Sequence, residues 1–254
     1  MNFDVFDWRI LAPALAAGII VLSTHVPFGR EVLHRGIIFA DLAVAQVAGL
    51  GVMAAAAFGW PPHGLGAQIM AIAGALGAAG FLHLAERRWP EVQEALIGVL
   101  FVLAACAGIL LVTHLPHGGE HLQNLLVGQI LFVTTDMLFA AALVSAVIVA
   151  LWFGGLKKRG GFVFYGLFAV SVTLAVQLVG VYLVFASLII PALAARRLKE
   201  KSGLITGYAL GIAGYLLGIL LSAIFDLTTG AVVVLTLALV AILAATGFRL
   251  GHKP

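Results

Sequence analysis

The residues best equipped for chemistry fall in two settings. One is a polar segment, 114–124, in which His114, His117, Glu120 and His121 lie close together. Imidazole nitrogen and carboxylate oxygen are ligands that zinc and similar divalent cations take. Pro116, Gly118 and Gly119 make the stretch a turn, so the four side chains could converge from a compact loop. The plainer reading is a polar loop, and His63 sits on another. His117, Glu120 and His121 also spell H-x-x-E-H, the inverted zincin order. That motif needs a helix, which a Gly-Gly centre disfavours, so the match is read as chance. The other setting is charge in or beside apolar segments: Asp41 in IIFADLAVAQVAG, Asp136 in LFVTTDML and Asp226 in IFDLTTG. A carboxylate at membrane depth is costly and usually faces a polar path or a partner. Asp41 could instead cap a helix or pair with Arg35. Gln46, five residues on, lies about 140° further around a helix and shares no face with it. Asp226 reads first as a helix terminator. Glu94 begins a segment, where a carboxylate complements a helix N-terminus.

The elements that must position these groups are transmembrane helices. Hydrophobic residues make up 63% of the 254, charged residues only 10%, and mean hydropathy is +1.14. Soluble domains carry about 25% charge. The expectation is one all-α polytopic membrane domain over 1–254. A span needs about 20 apolar residues. Candidates are 10–24, 36–58, 65–84, 92–113, 125–153, 204–225 and 231–248. Segment 162–195 would be roughly 50 Å long as one helix and is divided near 177–180. The total is about nine spans, or eight if a short one inserts only partly. This division puts every basic residue except Arg9 on one side, which the positive-inside rule makes the cytoplasm. The C-terminus is then inside and the 114–124 loop outside. The net charge of +3 therefore reports topology and not nucleic-acid binding. The first nine residues lack the basic start of a cleavable signal. Cys106 cannot form a disulfide within the chain and is expected to be a small buried residue. Gly207, Gly211, Gly214 and Gly218, and likewise Gly74, Gly77 and Gly80, recur at helical spacing and predict close helix packing.

Residues 179–203 stand apart. Pro191 should kink or break the arriving helix. Arg196, Arg197, Lys199 and Lys201 follow at once. This is either an ordinary positive-inside stop or a handle for a cytoplasmic partner. No Walker-type phosphate loop is present, so ATP hydrolysis is not expected of this chain.

Five ordered blocks carry a family resemblance: GIIFADLAVAQVAGLG, EALIGVLFVLAACAGILLV, LVGQILFVTTDML, VGVYLVFASLIIPALAARRL and GILLSAIFDLTTGAVVVL. Over about residues 36–243 the chain resembles the permease subunits of the zinc/manganese ABC importers. The resemblance implies the fold of the vitamin-B12/iron-importer permeases, a homodimer in the bacterial inner membrane, cytoplasmic ATPase subunits that bind the ATP, and a periplasmic or extracellular binding protein. It implies no intrinsic cofactor and a transported zinc, or manganese, ion. It makes 191–203 the coupling element, with Pro191, Arg196, Arg197 and Lys199 facing the ATPase. It makes Asp41 part of the metal path; Gln46, Asp136 and Asp226 are further candidates for that path, read from their place in or beside the spans. The family's histidine four residues after that aspartate is Ala45 here. Either other groups, such as the His114–His121 cluster, supply metal ligands in its place, or the substrate differs. The rival readings are an ion-driven secondary transporter using Asp41 and Asp136, and an intramembrane metalloprotease.

Overall fold

A computed structural model of the chain describes residues 8–61, 64–113, 126, 128, 130–156 and 160–250. Among these residues the architecture is all helix. The α-helices, numbered in chain order, are α1 (Trp8–Arg35), α2 (Ala40–Ala57), α3 (Leu65–Arg88), α4 (Gln93–Val112), α5 (Thr135–Phe153), α6 (Gly161–Val179), α7 (Val181–Ala194), α8 (Glu200–Phe225) and α9 (Thr229–Leu250). All but α7 are long and apolar enough to cross a membrane.

The division of 162–195 is confirmed. α6 ends at Val179 and α7 starts at Val181, with Gly180 between them at φ 82°. A left-handed residue ends a helix, and glycine takes that conformation without penalty. Two other boundaries differ from expectation. The first helix runs on to Arg35, because the polar residues that ended the hydropathy reading are buried and bonded inside the protein. Ser171 Oγ donates to Thr24 Oγ1 at 2.7 Å, and His25 Nδ1 lies 3.0 Å from the Val21 carbonyl. Pro27 withdraws the donor that the Ser23 carbonyl would have had. The Tyr208 hydroxyl, from α8, donates to that carbonyl instead at 3.0 Å. The second difference is α5, which starts only at Thr135. Thr134 caps it, accepting from the Met137 N–H at 3.4 Å. Asp136 thus stands in the first turn of that span and not in its interior.

α1 packs on α5, α6, α7 and α8. α2 packs on α3 and α4, α3 on α6, and α9 on α7 and α8. Arg35 ties one end of the bundle together. Its guanidinium bonds Glu31 and Glu86, each at 2.8 Å, and lies over the Phe164 ring. This basic end holds the C-termini of α1 and α3 and the α7–α8 connection. The opposite end is joined by Gln68 donating to Gln177 at 2.8 Å.

The α8 glycines pack as expected. Gly207 and Gly211 receive Val26 and Leu22 of α1, and Gly214 and Gly218 receive Leu237 and Val233 of α9. The α3 glycines do so only in part. Gly74 meets Val47, whereas Gly77 and Gly80 face open space. The packed face of α3 is instead an alanine row including Ala67, Ala71, Ala75 and Ala78. Cys106 corrects its expectation outright: it is exposed on α4, and Ala104 and Gly108 take the buried positions. Gly211→Leu should lower stability by about 1–3 kcal/mol, while Gly77→Leu should stay within about 0.5 kcal/mol of the parent. Equilibrium unfolding in mixed detergent micelles checks the contrast.

Candidate functional site

α2 starts without a side-chain cap of its own, since Phe39 occupies the N-cap position. Glu94, in the first turn of α4, fills that role from outside. Its Oε1 accepts from the Phe39 N–H at 3.2 Å. Asp41 is therefore not the N-cap of α2. Asp41 lies in the first turn of α2 and is 1% exposed. Neither of its carboxylate oxygens has a side-chain partner, and only the backbone N–H groups of Asp41 and Leu42 approach them; Glu94 Oε2 has no side-chain partner either. Arg35 forms no ion pair with Asp41; its Nε and Nη1 are turned to Glu31 and Glu86 instead. The start of α2 therefore gathers two carboxylates and no bonded cationic side chain among the described residues. The positive end of the helix favours negative charge there. Carboxylate oxygens are ligands of the type that hard divalent cations take.

A cavity of about 720 Å³ adjoins this helix, between α2, α4, α7 and α9. Leu42, Gln46, Phe101, Tyr182, Phe185 and Leu235 line it. Gln46 reaches this space and Asp41 is not in its lining, as their angular separation on the helix requires. Ile190 lines this cavity and also a second one of about 700 Å³ at the basic end, whose lining includes Arg196 and Arg197 and, from α9, Ala241 and Ala245. The two adjoin along the α7–α9 face, from Tyr182 to Arg197.

The other expected site residues are not brought together with Asp41. Asp136 and Asp226 are exposed, and neither lines these cavities. Asp226 is the left-handed C-cap of α8, as its terminator reading required. His63, His114, His117, Glu120 and His121 lie outside the described residues. Among the described residues no group of three or more His, Cys, Asp or Glu could hold a metal ion. Sequence reasoning passed over His25, which is fully buried with Nε2 unpartnered. A histidine inside an apolar run was the available signal, hidden by ending the first span at Thr24.

The basic connection is a tighter element than expected. α7 continues through Pro191 for three residues to Ala194, because proline lacks a donor but its carbonyl still accepts, here from Ala195 N at 3.1 Å. Residues 195–199 then form a turn, and α8 begins at Glu200 inside the charged cluster. No separate helix intervenes. Pro191 is buried, whereas Arg196, Arg197 and Lys199 are exposed.

Comparison with known proteins agrees with this architecture. The model of the ABC 3 transport family matches residues 7–159 and 157–247. A probable iron transport system membrane protein of Haemophilus influenzae is 27% identical over 246 residues, covering 87% of this chain and 83% of that protein. The manganese transport system membrane protein MntC of Halalkalibacterium halodurans is 27% identical over 255 residues, covering 92% and 86%. Among solved structures, PsaBC from Streptococcus pneumoniae in complex with Fab superposes with a TM-score of 0.78 at 22% identity, over 96% of this chain and 95% of that one. A transporter described as of the metal-chelate ABC type, in an inward-facing conformation, gives 0.64 at 17% identity, over 94% and 83%.

Asp41 gives a test that separates function from folding. A buried carboxylate without partners opposes stability. Asp41→Asn should therefore unfold at an equal or higher temperature than the parent in detergent. A lower midpoint would mark Asp41 as a structural residue.

Proposed function

The chain belongs to the ABC 3 transport family, and from that premise we propose that it is the membrane-spanning subunit of an importer for a divalent metal ion. The observation that carries the reading is the buried, unpartnered carboxylate of Asp41 beside the groove between α2, α4, α7 and α9. Carboxylates held without counter-charge in a membrane protein mark ion pathways.

The working unit is a homodimer in the bacterial inner membrane. Its basic end faces the cytoplasm and its C-terminus lies inside, following the positive-inside rule. Separate ATPase subunits dock at residues 191–203, where Arg196, Arg197 and Lys199 are exposed. An external binding protein delivers the ion at the opposite end. ATP binding on the ATPase subunits moves the α7–α8 connection, and the bundle changes the side to which the groove opens. Asp41 then offers a transient site on the path, with Glu94 as a further donor, and the Gln46 amide oxygen meets the ion separately within the groove.

Zinc and manganese are the candidate cargoes, and the donor sets differ. Asp41, Glu94 and Gln46 supply oxygen only, which suits manganese better than zinc. The relatives named above for iron and manganese agree with that preference. Imidazole ligands would have to come from His114, His117 and His121, with Glu120 beside them.

Vesicles containing the permease and its ATPase subunits, supplied with the binding protein, test the proposal. Manganese accumulation should require ATP and fall by at least about ten-fold in Asp41→Asn, the order of loss expected when a metal site is disturbed. Replacing His114, His117 and His121 together should reduce zinc uptake at limiting concentration and spare manganese uptake. Accumulation against a gradient by the chain alone would overturn the proposal in favour of an ion-driven carrier using Asp41 and Asp136.

A further inference from the structure

The α7–α8 connection is held by a side chain from a third helix. Arg30, half-buried near the C-terminal end of α1, donates from Nη1 to the Ala195 carbonyl and from Nη2 to the Leu198 carbonyl, each at 3.1 Å. Ala195 is the C-cap of α7, and Leu198 is the end of the turn that leads into α8. The last carbonyls of a helix have no partner within it. A guanidinium meets that need, and its charge complements the negative end of the helix dipole. Its planar fork allows two carbonyls to be taken at once.

The neighbouring elements are shaped around this contact. Gly203, in the first turn of α8, lies against the guanidinium, and a Cβ there would collide with Arg30 Nη1. Next to Arg30, Gly29 brings α1 against α7 so closely that a side chain would strike the Leu188 carbonyl and Ala192. Backbone thus meets backbone one residue before the guanidinium reaches the turn. Within the turn the remaining main-chain bonds are local: Arg196 N to Leu193 O at 3.4 Å and Leu198 N to Ala195 O at 3.1 Å.

We infer that Arg30 is the positioning residue that joins the α7–α8 turn to α1, so that a displacement of the turn carries α1 with it. The inference rests on the reading of residues 191–203 as the surface that the ATPase subunits move. α1 in turn leads into α2 through residues 36–39 alone, and Asp41 stands in the first turn of α2. A glutamine at position 30 loses the charge and the fork. A lysine keeps the charge but offers a single head for two carbonyls.

The test uses the full complex in vesicles and reads manganese transported per ATP hydrolysed. Arg30→Gln should lower this ratio about ten-fold, the range of a typical coupling between two sites. Co-elution with the ATPase subunits and the hydrolysis rate should be retained, and Arg30→Lys should fall between. Gly203→Ala crowds the guanidinium without removing its charge and should shift the ratio in the same direction. In Arg30→Gln the amides of 195–199 should exchange with deuterium faster, while the core of α8 does not change. Parental ratios in both Arg30→Lys and Gly203→Ala, or in Arg30→Gln with the turn exchanging faster, overturn the inference. If the double variant Arg196→Ala/Arg197→Ala uncouples transport and the Arg30 and Gly203 variants do not, only the role of Arg30 fails. If that double variant also couples normally, the reading of the turn as the ATPase contact fails, and the inference with it.

Discussion

A chain that faces lipid has no water at hand to repair a missing hydrogen bond, so its polar groups must be satisfied inside the bundle. The interior shows this repeatedly. Tyr208 serves the carbonyl that Pro27 leaves open, Ser171 meets Thr24, Gln93 meets Tyr165, and Ser187 meets Tyr215. Each pair joins two helices that an apolar core would allow to slide. Against that background the unpaired buried oxygens of Asp41 and Glu94 are conspicuous. A bundle that finds partners for single hydroxyl groups leaves Asp41 and one oxygen of Glu94 without a side-chain partner at one helix start. Glu94 has a return in the cap that it gives to α2, whereas the desolvation of Asp41 is offset by no side-chain contact, and it is on Asp41 that the proposed ion path rests.

The second constraint is contact distance. Between helices in lipid, attraction comes from close packing and not from expulsion of water. α8 shows the consequence. Its glycine rows accept α1 on one face and α9 on the other, and Gly18 of α1 in turn receives the Tyr215 ring. α8 is held on both sides. The α7–α9 face is different, because two adjoining cavities lie along it. The contrast between a filled seam and an open one within a few helices is what sets the α7–α9 face apart from the rest of the bundle.

Much of this was legible in the sequence, for reasons particular to each element. The break at Gly180 was readable because an uncharged run of 34 residues, 162–195, is too long for one span. The α8 glycines were readable from their spacing. The length of α1 was not, because hydropathy counts Thr24 and His25 as polar without knowing that the fold supplies their partners. Cys106 was misread because an apolar run does not say which of its faces meets lipid. Gly77 and Gly80 failed likewise: spacing proposes a face, and only the neighbouring helix makes it a contact. At the site, Asp41 stood out from the start as an acid in an apolar segment. Glu94 was assigned only to its own helix, since a cap given across helices leaves no local trace. Arg30 was read as topology, because nothing in the sequence links it to carbonyls more than 160 residues away.

These contacts give α1 a place in both halves of the structure. At its C-terminal end it touches the α7–α8 turn through Gly29 and Arg30. Five residues beyond Arg30, Arg35 fixes it to α3 through Glu86. The step into α2 is short and internally bonded, with Ile37 N reaching Val32 O at 3.2 Å and Ala40 N reaching Ile37 O at 3.1 Å. A stiff link of this kind leaves little slack between the turn that carries Arg196 and Arg197 and the helix start that carries Asp41. Packed interfaces also resist gradual deformation, since interdigitated side chains sit in one arrangement or another. The geometry therefore favours a concerted shift of α1 with the start of α2 over a local bend in the turn, and the Arg35–Glu86 pair is the contact such a shift must carry along or break.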